Sequence, residues 1–538
     1  QLTGLLRCTK SAFYTTLFTS DDNKNSCILW ERVNKVLRPH HKHQILDNIN
    51  CGDDHLSGCA LANAFHNYFV SQSSNIATPP DGLDASSYMT RNFENSFFMS
   101  PTDEDEVFAV FRILKNSRSQ DVDDLNIEVI KHTLDIVVPV LTYIFNLSFS
   151  SGVFPKAMQS AKVVALLKGV DKNMFKNYRP ISLLSIFSKG LEKIIHKRLY
   201  IYLEKFSIIS NSQHGFRKHR SSESALLVQK QQIIECFENK ELIMGVYIDF
   251  SKAFDLINHK LLFMELENYG IRGTARGLFK SYLQYRTQFV NNNNYISTIQ
   301  KIRTGVPQGS VLKPLFFIIF INDIENCVSH ANLVSYADDT TILIEGGSAE
   351  DTERKAIGVL SNIELWTKVN GLKINSEKTK CVLFRPRSRQ ISYSFQVTLG
   401  SSTLEVVKSV KTLGVLFTES LSWNEHVEYV HTKASKSIVL LCRNRYVFPT
   451  SVKLLLYYYV YCHLVWGQTT KHNLRLLLTQ KRAIRIVSNV SFLYLSKELF
   501  FKHCVIPIEQ LHRFRLLVTY NVALKHNSFF ISAIVMFN

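Results

Sequence analysis

Val107, Val110, Phe111 and Leu114 recur at helical spacing, with Thr102 placed as a cap and Asp105 at the capping-box position. This predicts a helix beginning near residue 102. The run "LDIVVPVLTYIFNLSF" reads as a second, buried helix. From about residue 160 the pattern shifts to short runs rich in β-branched residues: "AKVVALL" (161–167), "LIMGVYIDF" (242–250), "QFVNNNN" (288–294), "LVSY" and "TTILI". Between them lie helical stretches, "SKGLEKIIHKRLYIYL" and "SALLVQKQQIIECFE". Further strands are expected at "KCVLF", "FQVTL" and "TLGVLF", after which the pattern turns helical again. Upstream, residues 1–75 read as mostly helical and 76–100, with "ATPPDGLDASS", as a linker. The alternation predicts a mixed α/β or α+β core. Three divisions follow: 1–100, 101–390 (with its dense motifs in 150–390) and 391–538.

Composition adds a partner class. Hydrophobic residues make up 46% of 538 positions, enough for a substantial core. Lys and Arg number 63 against 45 Asp and Glu, a net +18 that favours a polyanionic partner. Between Lys162 and Lys230 there are fourteen Lys/Arg and four Asp/Glu, so the excess is local. A second basic cluster comprises Lys471, Arg475, Lys481, Arg482 and Arg485. Basic excess this localised predicts a nucleic-acid path. The ten cysteines form no C-x-x-C pair, so neither zinc nor a metal cluster is expected, and reduced, intracellular surroundings (nucleus, cytoplasm or both) are. No run of 18 apolar residues predicts a membrane span. The chain opens on Gln, which reads as a fragment.

The chemistry begins at "LVSYADDTTILI" (333–344), where Asp338 and Asp339 sit side by side at a hairpin tip. Adjacent carboxylates repel and, when buried, cost several kcal/mol unless a cation lies between them. Hard oxygen ligands at such a tip suit Mg2+; an exposed Asp-Asp turn is the plainer alternative. A third carboxylate, Asp249, ends the "GVYIDF" strand, where Val246, Ile248 and Phe250 alternate with Tyr247 and Asp249. Three converging carboxylates can hold two ions about 3.5–4 Å apart, the arrangement for phosphoryl transfer. Between these elements lies "TGVPQGSVLKPLFFIIFINDI" (304–324). Gly305, Pro307 and Gly309 make a closely approachable turn, Gln308 brings a carboxamide to it, and Ser310 is placed to cap the helix that follows.

These segments, with "NYRPISLLSIFSKGLEKIIHKRL" (177–199), "QHGFRKHRSSESALL" (213–227), "YIDFSKAFDLINHKLL" (247–262), "GLKINSEKTK" (371–380) and "LGVLF" (413–417), give the chain its resemblance. It resembles the reverse transcriptases of LINE-type (non-long-terminal-repeat) retrotransposons, in motif order and spacing, over roughly 150–420. The resemblance implies a right-hand polymerase: fingers and palm within 101–390, thumb and a helical C-terminal region in 391–538, and a helical N-terminal extension in 1–100. It implies Asp249, Asp338 and Asp339 as ligands of two Mg2+, with Mn2+ as substitute, and Lys378 as a proton donor to pyrophosphate. It places Phe250, Phe254, Gln308, Gly309, Arg179 and Lys168 around the incoming nucleotide, with Phe254 as the gate against a ribose 2′-hydroxyl. Tyr336, Arg217 and Lys218 are implied to contact primer or template. The expected partners are an RNA template, a DNA primer or target, and dNTPs, with no membrane.

Two departures stand out. Lys313 stands where members usually carry Gly, either reaching solvent or template phosphate, or crowding the nucleotide pocket. "LKNSRSQDVDDL" (114–125) replaces a segment that usually holds Lys and a Pro-Gly-Asp-Gly turn. No endonuclease segment or zinc knuckle is evident, so a nick in target DNA would come from elsewhere. The alternatives are a truncated or impaired element fragment that only binds nucleic acid, and an intron-maturase-type enzyme, for which no splicing domain is evident.

Overall fold

The computed structural model describes residues 2–19, 32–34, 48–51, 54–74, 85–89, 93–117, 119–169, 171–457, 461–468 and 470–525. At its centre is a five-stranded sheet in the order Glu405–Val406, Lys380–Phe384, Leu242–Ile248, Asp339–Gly346, Asn332–Tyr336. Leu242–Ile248 is the middle strand and every residue in it is buried. The side-chain alternation of a strand explains how. Leu242, Met244, Val246 and Ile248 enter the main core, whereas Ile243 and Tyr247 enter a second core on the opposite face. The second core is completed by Leu226 and Ile233 of helix Ser222–Glu238 and by Trp423, Val427 and Trp466 from the C-terminal helices. Tyr247 is therefore covered, so both faces of this strand are buried.

The main core also holds helix Ala349–Val369 and helix Lys313–Phe320. In the latter, "KPLFFIIF", seven of the eight residues are buried, as an all-round apolar helix requires. A second sheet runs Tyr178–Leu184, Ser160–Leu167, Thr287–Asn292, Tyr295–Ile296. Ser160–Leu167 and Thr287–Asn292 pair in parallel, so the chain passes through the central sheet between them. Helix Gly58–Ser74 seals this sheet, with Leu61 and Phe65 against Val163, Tyr178 and Val290.

Several expectations shift. The helix near 102 spans Glu104–Ile113 and is capped by Asp103, whose carboxylate accepts from the Glu106 backbone N–H; the Thr102 hydroxyl donates to the Glu106 carboxylate instead. Helix Leu134–Ser151 is long and apolar enough to cross a membrane by length and composition. It buries only one stripe (Leu134, Val138, Leu141, Phe145) and exposes Ile136, Val140, Tyr143 and Leu147. Part of the helical reading of 1–75 is replaced by a polar hairpin, Asn48–Cys51 with Asp54–Ser57. Of "LWERVNKVL" only 32–34 are described, helical and with Val33 buried, and part of the 76–100 linker lies outside the described residues; Phe97, within the described part, is buried and its N–H donates to Gly270 O. The main core runs on through Val397, Leu399 and Leu404, past the expected division at 390.

Candidate active site

The turn Tyr336–Asp339 joins the two edge-side strands of the central sheet, with Asp339 paired to Tyr336. Only Ala337 and Asp338 lie between, and Ala337 has φ 58°, in the left-handed region that costs a non-glycine residue roughly 1–2 kcal/mol. Segment 211–217 supplies the constraint that holds it. The Gln213 carboxamide oxygen accepts from the N–H of Ala337 at 2.9 Å and of Gly215 at 2.7 Å. His214 N–H donates to Ser335 and Ser335 N–H donates to Ser212. A Cβ on Gly215 would lie 2.2 Å from Ala337 N, so only glycine permits this approach.

The neighbouring strand brings Asp249. Thr340 pairs with Ile248, so one further antiparallel step sets Asp249 opposite Asp339. The Asp249 backbone is held from the other side: its N–H donates to Thr379 Oγ1 and its carbonyl accepts from Asn375 N–H. The carboxylates sense one another. Burial, then the charge of Asp249, pushes the Asp338 carboxyl up, with Arg179 pulling the other way. The protein mass around Asp339, then Asp338 and Asp249, pushes its carboxyl up to about 6, although it opens onto the cleft. Lys378 Nζ stands 3.9 Å from Asp249 Oδ2, on a side chain that is 69% exposed. Among the described residues no three His, Cys, Asp or Glu side chains are closed around an ion position. Three mutually repelling oxygen donors on rigid strands are nevertheless the donor chemistry a hard divalent cation takes.

Beside the carboxylates lies the 305–310 turn. Gly305 (φ 73°) and Gly309 (φ 147°) are both required: a Cβ would meet Asp255 O at 2.6 Å and Ser182 O at 2.2 Å. Ser182 N–H donates to Gln308 O, which ties the turn to the second sheet. Gln308 Nε2 donates to both Asp255 oxygens, at 3.1 and 2.9 Å. The Phe254 ring is partly buried, with its centroid 4.1 Å from that of Phe317. Arg179 lies on the Tyr178–Leu184 strand, exposed and near enough to Asp338 to affect it. Lys168 is exposed just beyond Ser160–Leu167, its N–H on Asn177 O.

An anchor for this turn was not singled out from sequence. Glu192 and Arg286 are wholly buried, with Arg286 Nη2 3.3 Å from Glu192 Oε1. The Ser310 hydroxyl and the Val311 N–H both donate to Glu192 Oε2, at 2.9 and 2.7 Å. Ser310 thus latches the turn and accepts from Leu312 N–H; helix Lys313–Phe320 has no side-chain cap, contrary to expectation. The signal was present: an acid within the apolar "GLEKII" of a quoted segment.

Three other expectations are corrected. Phe250 shares the face of Val246 and Ile248 and is 6% exposed in the main core, so its ring does not line the nucleotide cleft. Arg217 grips Glu204 with Nε and Nη2, both at 2.8 Å, and donates to Ser210 O; its guanidinium is not presented to template phosphate. Lys313 reaches neither solvent nor phosphate: it is buried and paired with Asp255 at 2.9 Å. Within the basic run, Lys162, Lys197 and Arg198 are also paired with carboxylates, and Lys230 is buried. The exposed cations are Lys168, Lys172, Lys176, Arg179 and Lys218, among others. In the second cluster Arg475 pairs with Glu428 and Arg485 donates to Tyr494 O, while Arg482 is exposed.

Paired carboxylates on a sheet beside a glycine turn define a class, and residues 170–417 match the reverse transcriptase (RNA-dependent DNA polymerase) family. This part of the chain is a reverse transcriptase domain. The similar curated proteins come from non-long-terminal-repeat retrotransposons. The probable RNA-directed DNA polymerase from transposon BS of Drosophila melanogaster is 26% identical over 454 residues, covering 80% of this chain and 50% of the relative. The RNA-directed DNA polymerase from mobile element jockey of the same fly is 28% identical over 356 residues, 63% of this chain and 38% of the relative. The Pol polyprotein from type-1 retrotransposable element R1 of Bradysia coprophila is 26% identical over 433 residues, 80% of this chain and 41% of the relative. The chain spans half or less of the length of these relatives.

Proposed function

We propose that this chain is an RNA-directed DNA polymerase of a LINE-type retrotransposon, extending a DNA 3′-hydroxyl on an RNA template at a nicked target. The observation that carries the reading is the ladder register that sets Asp249 opposite Asp339, beside the braced Asp338 turn. In this reading the central sheet is the palm, the 160–301 sheet the fingers, and the helices of 424–525 the thumb, with the palm continuing to Val406.

Asp249, Asp338 and Asp339 would hold two Mg2+ (Mn2+ as substitute), which when bound supply charge neutralisation at the attacking and departing oxygens. The chain's own residues do the rest. The primer 3′-hydroxyl loses its proton to solvent in the open cleft, and its oxygen bonds to the α-phosphorus of a dNTP as the bond to pyrophosphate breaks. Lys378 beside Asp249 is placed to return a proton to that leaving group. Arg179 and Lys168 face the triphosphate, Tyr336 the primer end, and Lys218 the template. Gly309 lets the nucleotide lie against backbone. Phe254, backed by Phe317, blocks a 2′-hydroxyl.

Primer extension on poly(A) with oligo(dT) tests this reading. The wild type extends with dNTPs in Mg2+ and discriminates against NTPs. Phe254→Ala lowers that discrimination by on the order of a hundredfold, ~2.7 kcal/mol. Unchanged sugar selectivity in a folded Phe254→Ala protein would remove Phe254 as the gate.

A further inference from the structure

A lysine in the first turn of an apolar helix is expected to run its stem along the surface and keep its ammonium in water. Lys313 does the opposite. Its side chain is 8% exposed, with Nζ 2.9 Å from Asp255 Oδ1 and 5.4 Å from the centroid of the Phe254 ring. Asp255 Oδ1 and Oδ2 also accept from Gln308 Nε2. Phe254 packs on Phe317, one turn along the helix that Lys313 opens. Two adjacent residues, Phe254 and Asp255, are thus both held by one helix, and Asp255 in turn holds Gln308.

We propose that Lys313 is a positioning residue for nucleotide selection: its ammonium fixes Asp255, and through it the Phe254 ring and the Gln308 carboxamide, as one rigid wall of the nucleotide pocket. The inference rests on the polymerase reading above. A buried ammonium is retained only with a partner, so the pair fixes the Asp255 carboxylate. A carboxylate held in one place orients the carboxamide that bonds both its oxygens. The Lys313 charge is engaged inside the protein and does not compete with Arg179 for the triphosphate. Moving the gate ring then requires breaking the ion pair, the ring stack or the carboxamide bonds.

The test compares single-nucleotide incorporation of dNTP and rNTP by wild type, Lys313→Met, Asp255→Asn and the double variant. Lys313→Met keeps the stem and removes the charge; Asp255→Asn keeps the shape at a partly exposed position. Each single variant lowers the dNTP-to-rNTP ratio of kcat/KM by about tenfold, mainly through a lower KM for rNTP, while kcat for dNTP stays within about threefold. The double variant goes no lower than the singles. Unchanged ratios, additive effects, or equal losses for both sugars overturn the proposal. If the wild type extends no primer, the polymerase reading fails on its own. Thermal unfolding of the same four proteins then judges the wall: coupling between positions 313 and 255 supports it and additivity overturns it.

Discussion

Asp338→Asn abolishes primer extension, by roughly a thousandfold or more in kcat, ~4 kcal/mol of transition-state stabilisation. The substitution keeps the side chain's size and leaves the Gln213 bonds to Ala337 and Gly215 intact. It removes a charge that raises the proton affinity of Asp339. Folding is therefore little changed, since relieving like-charge repulsion is favourable without a cation present. In the proposed reading RNA binding also stays near wild type, because it would rest on phosphate contacts by exposed cations such as Lys172, Lys176 and Lys218. Extension assays with a gel-shift control on the same protein separate chemistry from binding. Retained polymerisation would show that Asp338 is not a metal ligand.

Glu192→Ala produces the largest stability loss, about 3–5 kcal/mol, the usual result of breaking a buried ion pair from one side. Arg286 would be left wholly buried without its carboxylate, and its Nη1 already has no partner. The Ser310 hydroxyl and Val311 N–H lose their acceptor together, so the 305–310 turn is released as the core weakens. Denaturant unfolding reads the loss directly. Extension by the remaining folded protein shows a higher KM for dNTP, because Gln308 and Gly309 no longer hold their place. A change under about 1 kcal/mol would contradict the anchoring role, being no more than a typical surface substitution.

What was legible in the sequence was local. Period-two runs marked Ser160–Leu167, Leu242–Ile248, Thr287–Asn292 and the hairpin, and the apolar 3.6-residue pattern marked the helices around them. Asp338 and Asp339 stood out because adjacent carboxylates repel one another, and Asp249 because it ended a strand and supplied a third. What could not be read depended on partners distant in the chain. Arg217 looked like a template cation until Glu204, on the preceding helix, took its guanidinium. Lys313 looked like an intrusion until Asp255, 58 residues earlier, received its ammonium. A count of charges records neither event, which is why the basic run overstated the free cationic surface. Phe250 was misplaced for a different reason: alternation put it with Val246 and Ile248, where the structure has it, and the nucleotide-side placement came from the resemblance alone. The Asn48–Cys51 hairpin was missed because "NINC" and "DHLS" carry almost no apolar pattern.

The central claim is that Asp249 meets Asp338 and Asp339 around shared divalent ions. Iron-mediated cleavage tests it most directly. Fe2+ is substituted for Mg2+ in the purified chain, and ascorbate with peroxide generates hydroxyl radicals at the bound ion. The account predicts backbone cuts at two places far apart in sequence, near 249 and near 338–339, both suppressed by excess Mg2+. Cuts at only one of the two, or cuts that Mg2+ does not suppress, would contradict it.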